Sequence, residues 1–229
     1  MLYLPTTEDI RNEFKELYKN GIFREGKYGK TAEIQNAHFL ADKDWIIREP
    51  NYDYAKREIE WYESQSLYVK DIPGKVPKIW ESCADKNGKI NSNYGWCIFS
   101  KDNGSQYGNC VKRLLDDPHT REACMIYNRP SMQTDCSSNG MHDFMCTYST
   151  QVFLNKVRGD ITIYQLDYTV FQRSCDAVFG FDNDVLWHRH VMRKLVDELI
   201  KYDKNVILGD MTYNCGSLHV YERHFKYLE

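Results

Sequence analysis

Trp187, Val191, Leu195 and Leu199 repeat every four positions, with Met192, Val196 and Ile200 alongside. That spacing lays a continuous apolar stripe along a helix that begins near Asp184. Around it stand strand-like stretches at residues 123–127, 147–154, 161–172 and 217–221. Helical patterns also cover residues 6–21, about 53–66, and 105–116. In the first, Thr6 and Asp9 form a capping pair, Ile10, Phe14, Leu17 and Tyr18 share a face, and Gly21 is the stop. The second places Glu58 near Trp61 and Tyr62, and the third ends before Pro118. Strands and helices are mixed, and most strands arrive as a late cluster, so an α+β domain fits better than a doubly wound one.

The 229 residues suffice for one sizeable core, and no repeat, low-complexity run or linker divides them. A single domain over residues 1–229 is therefore expected. The net charge of −3 and the scatter of Lys and Arg exclude a broad nucleic-acid surface, but leave room for a nucleotide monomer. Eight Cys without a C-x-x-C pair give little support to a zinc or thioredoxin-like centre, so no metal is expected. No signal peptide or membrane-length apolar run is present, and free thiols suit a reducing cytosol away from membranes. Aromatics reach 14%, with 17 Tyr, which by default fill a core and otherwise line a pocket for a flat ligand.

Four separated groups carry chemistry when taken together. Cys146, in Asp143-Phe144-Met145-Cys146-Thr147, is a candidate nucleophile if a nearby cation favours its thiolate; alone it reads as a core cysteine. Arg173 and Ser174 pair a guanidinium fork with a hydroxyl, a set suited to phosphate oxygens, and Arg121 is a further candidate. The alternative for each arginine is a solvated salt bridge. His219 and Tyr221 lie two apart on a strand and so face the same side, where they can bond a sugar hydroxyl or merely finish a sheet edge. Glu58 is a carboxylate for proton transfer or a helix-surface acid.

The order Glu58–Trp61, Tyr94-Gly95, Asp117-Pro118 to Arg121, Cys146, Arg173-Ser174-x-Asp176, Gly180 and His219-x-Tyr221 resembles the thymidylate synthase superfamily, from about residue 33 to 225. Several stretches resemble its bacteriophage deoxycytidylate hydroxymethylase branch. They are Glu58-Ile59-Glu60-Trp61-Tyr62, Ile90-Asn91-Ser92-Asn93-Tyr94-Gly95-Trp96, Arg129-Pro130-Ser131-Met132-Gln133, the Cys146 segment and Gly216-Ser217-Leu218-His219-Val220-Tyr221. The resemblance implies a thymidylate synthase-like fold, with a mixed β-sheet flanked by helices and a sheet-to-sheet homodimer.

Three features separate the two branches. Asp184 stands where the synthases carry the asparagine that reads uracil. An aspartate accepts from the cytosine amino group and, when protonated, donates to N3. The alternative is that Asp184 only caps its helix. Thr147 stands where the synthases have a histidine. The chain ends at Glu229, soon after Tyr221, where synthases continue into a tail that closes over folate and excludes water. A water-admitting site suits hydroxymethyl transfer.

The substrates so implied are deoxycytidylate (dCMP) and methylenetetrahydrofolate, the one-carbon donor. The resemblance gives Cys146 attack on C6 of the base and Glu58 the ordering of water and movement of protons. It gives Arg173, Ser174 and a partner-supplied Arg121 the phosphate, and His219 and Tyr221 the deoxyribose. Trp80 and Asp176 would contact the folate, and Tyr94 would lie near the reacting base. Two departures stand out. Arg121-Glu122 replaces a pair of arginines, so the acid must point away or meet a cation, with Lys27 or Lys30 as compensators. Extra length between Cys146 and Arg173 is assigned to a hairpin around residues 157–168. The rival readings are a deoxyuridylate (dUMP) hydroxymethylase, a thymidylate synthase and a catalytically silent nucleotide-binding paralogue. In a phage the enzyme would work in the host cytoplasm, and its product would enter viral DNA as a modified cytosine.

Overall fold

The computed structural model describes residues 4–26, 29–157, 159 and 162–229. In chain order the helices are α1 (Thr7–Lys19), α2 (Tyr52–Ser64), α3 (Lys78–Cys83), α4 (Tyr94–Phe99), α5 (Gln106–Asp116), α6 (Met132–Asp135) and α7 (Phe181–Lys201). The strands are β1 (Arg24–Gly26), β2 (Gly29–Leu40), β3 (Cys124–Ile126), β4 (Thr147–Val157), β5 (Ile163–Gln172), β6 (Cys175–Asp176) and β7 (Val206–Tyr221). Contacts gather the chain into two compact units: Met1–Pro50 with Val152–Glu229, and Asn51–Gln151.

The first unit is a mixed sheet with β7 at its centre. β2 runs antiparallel to β7, while β5 and the short β6 run parallel to it. β1 extends the β2 side antiparallel, and β4 lies beyond β5. α7 packs on the sheet with Trp187, Val191, Leu195 and Leu199 all buried, as the four-residue spacing requires. On the same helix His188 meets Tyr168 and Tyr213 (ring centroids 5.8 and 6.2 Å), and Phe181 meets Phe39 and Tyr213 (5.7 and 5.0 Å), all buried. α1 begins in a reciprocal capping box between Thr6 and Asp9. It ends with Ile22 N–H on the Leu17 carbonyl (2.9 Å) and Gly21 N–H on Tyr18 (3.1 Å), a Schellman closure that Gly21 permits at φ +65°.

The second unit is mainly helical. Asn51 caps α2 by accepting from Tyr54 N–H at 3.1 Å, and Gln65 ends it in the left-handed region. Trp61, Tyr62, Tyr94, Ile98, Leu114 and Tyr127 form its core. Asn93 caps α4 and also donates to the carbonyls of Trp61 (3.0 Å) and Ser66 (2.9 Å), which fixes α4 on the end of α2. β3 pairs antiparallel with the first residues of β4.

Several boundaries differ from expectation. α7 starts at Phe181, with Gly180 as its N-cap, rather than near Asp184. The strand expected at residues 217–221 is the end of β7, which begins at Val206. β2 carries no expected strand, because Asn36 at φ +54° shifts its alternation: Ala32 is buried before it, Ala37 and Phe39 after it. β4 and β5 fill most of the expected 157–168 hairpin, and Arg158, Asp160 and Ile161 of that hairpin lie outside the described residues.

His188 on α7 is fully buried, and desolvation pulls its imidazole from 6.5 down to about 3. The unfolded chain therefore takes up this proton first as pH falls. The contribution of neutral His188 is intact above pH 6.5 and erodes between there and about 3. Between pH 7 and pH 5 this amounts to roughly 2 kcal/mol. Urea unfolding at the two pH values should show that loss in the wild type and a smaller one in His188→Gln; equal losses would contradict it.

Candidate active site

In the second unit, the spacing of α2 puts Tyr54, Glu58, Trp61 and Tyr62 on one helical face. Glu58 keeps only 5% exposure. Its Oε1 accepts a short hydrogen bond from the Tyr54 hydroxyl and another from Trp80 Nε1 at 2.8 Å. Burial pushes the Glu58 carboxyl above its ordinary range, and the two donors oppose that rise. Trp80 on α3 stands edge-on to Trp61, with ring centroids 5.2 Å apart.

Tyr94 opens α4, stacked on Tyr62 at 5.2 Å and 15°, and its hydroxyl accepts from Thr147 Oγ1 at 3.0 Å. Cys146 is half-buried and in no disulfide, between the buried Met145 and Thr147 at the entry to β4. Thr147, next to Cys146, thus ties the entry of β4 to Tyr94. Upstream, the buried Asp143 accepts from Asn91 N–H (2.7 Å), Ser92 N–H (2.8 Å) and Ser92 Oγ (2.5 Å), which binds this segment to the approach to α4. Arg121 is exposed after α5, and its carbonyl accepts from Gln151 at 2.9 Å. The neighbouring Glu122 is met by Arg113 at 2.5 Å. Lys30 lies 3.9 Å from Glu25, and Lys27 is outside the described residues.

In the first unit, Arg173, Ser174, Ser217, His219 and Tyr221 line one cleft of about 350 Å³ with the β1–β2 hairpin, including Arg24, Thr31 and Glu33. Arg173 and Ser174 therefore share a concavity with His219 and Tyr221, without Arg121, and register explains how. β5 pairs Gln172 with Cys215, and β6 resumes with Cys175 opposite Leu218. Arg173 and Ser174 leave the ladder between these points. Ser217 N–H holds the Arg173 carbonyl at 3.1 Å, and a Cβ at Gly216 would stand 2.9 Å from that oxygen. His219 Nδ1 sits 3.2 Å from the Ser217 carbonyl, and its ring meets Tyr221 edge-on at 4.7 Å. Arg24 reaches Glu33 at 3.0 Å across the hairpin.

Asp184 lies in the first turn of α7, and its Oδ2 accepts from Gln172 Nε2 at 2.7 Å. Gly180 is the N-cap, which removes capping as the purpose of Asp184. Asp176 Oδ1 accepts from Val178 N–H at 2.9 Å, and Oδ2 lies 3.9 Å from His224 Nδ1. Phe179, 39% exposed, stands between His224 (4.8 Å, edge-on) and the Arg48 guanidinium (4.6 Å).

Sequence reasoning gave no role to Tyr54, Gln172 or Arg113, and of the β1–β2 hairpin it named only Lys27 and Lys30. The available signal for Tyr54 was its position one helical turn before Glu58. Among the described residues, no three or more His, Cys, Asp or Glu side chains group so as to hold a metal ion, and no helix is long and apolar enough to cross a membrane.

Residues 37–229 match the family model for thymidylate synthase. The chain is 45% identical to the deoxycytidylate 5-hydroxymethyltransferase of Enterobacteria phage T4, across 96% of this chain and 88% of that protein. It is 23% identical to the thymidylate synthase of Bacillus mojavensis, across 94% and 79%. Thermostable thymidylate synthase A from Bacillus subtilis has the same fold, with a TM-score of 0.67 at 19% identity over 96% of this chain and 84% of that one. Matched along most of its length in both sequence and fold, the chain belongs to the thymidylate synthase family.

Proposed function

We propose that this protein is a deoxycytidylate 5-hydroxymethyltransferase, converting dCMP, methylenetetrahydrofolate and water to 5-hydroxymethyl-dCMP and tetrahydrofolate, with both compact units serving one catalytic domain. The phage T4 relative carries that activity in its name. The observation that carries the choice of base is Asp184. It is a carboxylate released from capping duty and steadied by Gln172, and the family resemblance gives its position to the reading of the pyrimidine. A carboxylate suits the cytosine amino group, whereas an amide suits the uracil O4 and N3–H edge.

Cys146 Sγ bonds to C6 of the base and makes C5 nucleophilic. The folate, as co-substrate, supplies a one-carbon unit at the methylene level to C5; loss of the C5 proton and departure of tetrahydrofolate then leave an exocyclic methylene. Water then adds to the exocyclic methylene, the ring double bond reforms, and the Cys146 thiolate departs. Glu58, whose carboxyl burial pushes above its ordinary range, orders that water and exchanges its proton. Tyr94 lies beside the reacting base. Arg173 and Ser174 hold the phosphate, and His219 and Tyr221 the deoxyribose.

Taken separately, each unit offers groups of the kind a flat, half-polar folate takes. Ile79, 64% exposed, neighbours Trp80, and the half-exposed Phe179 lies near Asp176, whose carboxylate can accept from ring N–H groups. The working form is a homodimer. Across the sheet from α7, β5 and β7 present Thr169, Phe171 and Thr212, and the β7 entry exposes Ile207 and Leu208. The partner subunit brings the arginine corresponding to Arg121 to the phosphate. No nucleic acid or membrane takes part, and the setting is the cytoplasm of a host cell.

The experiment is base preference. Asp184→Asn should move the ratio of kcat/KM for dCMP over dUMP toward uracil by about a hundredfold. Unchanged cytosine selectivity in that variant would remove Asp184 from base reading.

A further inference from the structure

Glu58 does not stand alone on α2. Four residues earlier, Tyr54 directs its hydroxyl at the same carboxylate oxygen that accepts the Trp80 indole N–H, and that N–H also lies 3.0 Å from the Tyr54 oxygen. Both donors converge on Oε1, and among the described residues no donor occupies Oε2. We propose that Tyr54 is the positioning residue for Glu58: with Trp80 it fixes one carboxylate oxygen and leaves the other to order and deprotonate the attacking water. This rests on Glu58 as the proton-transfer group of the proposed reaction.

In that step the water oxygen bonds to the exocyclic methylene carbon and its proton passes to Glu58. The exocyclic double bond moves into the ring between C5 and C6, and the C6–S bond breaks to release the Cys146 thiolate. A carboxylate free to turn about its side-chain bonds would serve this step poorly, since it must present a lone pair rather than a bound proton to the water.

Tyr54 is suited to its part. Burial and the neighbouring Glu58 charge push its phenol far above the ordinary value, so it remains a donor throughout the working pH range. From α2 and α3 the polar groups at the carboxylate are Tyr54 and Trp80. The positive charge in their surroundings, Arg57, lies 5.6 Å from the Tyr54 ring centroid, and its guanidinium is held by the carbonyls of Pro73 (2.8 Å) and Lys75 (3.1 Å). Arg57 thus bears on Glu58 through Tyr54 rather than by direct pairing.

Removing a donor from a carboxylate raises its pKa. In Tyr54→Phe, the acid limb of the kcat–pH profile should therefore move to higher pH by about one unit. Activity should fall more than about tenfold below the limb and recover only in part above it, where the freed carboxylate still costs several-fold. A fluorinated tyrosine at position 54, a stronger donor, should move the limb the other way. A limb that stays in place while activity drops equally at every pH would make Tyr54 a space-filling residue and overturn the proposal. Carbon NMR of labelled glutamate, with the Glu58 carboxyl assigned against Glu58→Gln, reads the same shift without turnover. If the wild type forms no product from any pyrimidine nucleotide, the assigned reaction fails. The NMR titration still decides the Tyr54–Glu58 pair, an upward shift in Tyr54→Phe supporting it and an unmoved titration refuting it.

Discussion

Cys146→Ala should bind dCMP with near wild-type affinity and turn it over roughly ten-thousandfold more slowly or worse. The side chain is half-buried and small, so its removal leaves the surrounding core intact, while no other thiol occupies its place before β4. Cys97 and Cys110 are buried, and desolvation pushes both thiols up to about 12, so neither can substitute as a thiolate near neutral pH. Calorimetry with dCMP separates binding from the lost step. Mixing inactive Cys146→Ala with Arg121→Ala should restore activity through heterodimers in which one site has an intact Cys146 and draws its arginine from the other chain. Failure of the mixture to regain activity would count against the shared phosphate site, and substantial turnover by Cys146→Ala alone would exclude covalent catalysis by this residue.

Gly95→Ala should cost more than about 3 kcal/mol of stability. A Cβ at this position would fall within the van der Waals envelope of the Tyr62 carbonyl and 3.2 Å from the Tyr62 Cα. These are backbone atoms, so no rotamer change relieves the clash. Asn93 prevents α4 from moving away, because its side chain is bonded to the Trp61 and Ser66 carbonyls. Whatever relaxation occurs must separate Tyr94 from its stack on Tyr62, so the surviving folded fraction should also be catalytically weakened. Urea unfolding is the check, and a loss under about 1 kcal/mol would show that the α2–α4 approach is looser than this geometry implies.

The extent to which this chain is legible depends on whether a local pattern survives its tertiary setting. α7 is the clear case, since a regular apolar stripe can bury only one way. Its start is hidden in the sequence because Gly180 offers no capping side chain, while Asp184 resembles a cap but is, with Asp182, a first-turn acid that favours the positive end of the helix dipole. β7 was read only at its end, because Gly209, Asp210, Asn214 and Gly216 interrupt its apolar run. It forms a 16-residue strand because β2 and β5 satisfy its backbone from both sides. The division into two compact units leaves no mark in composition, as one of its boundaries falls within β4.

At the site, the residue types and their order pointed to the right family. The supporting contacts, Tyr54 on Glu58, Gln172 on Asp184 and Arg113 on Glu122, were not legible. Two of these join residues 9 to 12 positions apart across a turn of chain, and nothing in the local sequence selects the partner.

The most direct test of the assigned reaction is the mass of the product formed from dCMP and methylenetetrahydrofolate in heavy-oxygen water, with dUMP and CMP run alongside. The account predicts a hydroxymethyl adduct on dCMP alone, with the heavy label in its hydroxyl oxygen. A methyl or hydroxymethyl product on dUMP in preference to dCMP, or no product from any of the three, would contradict it.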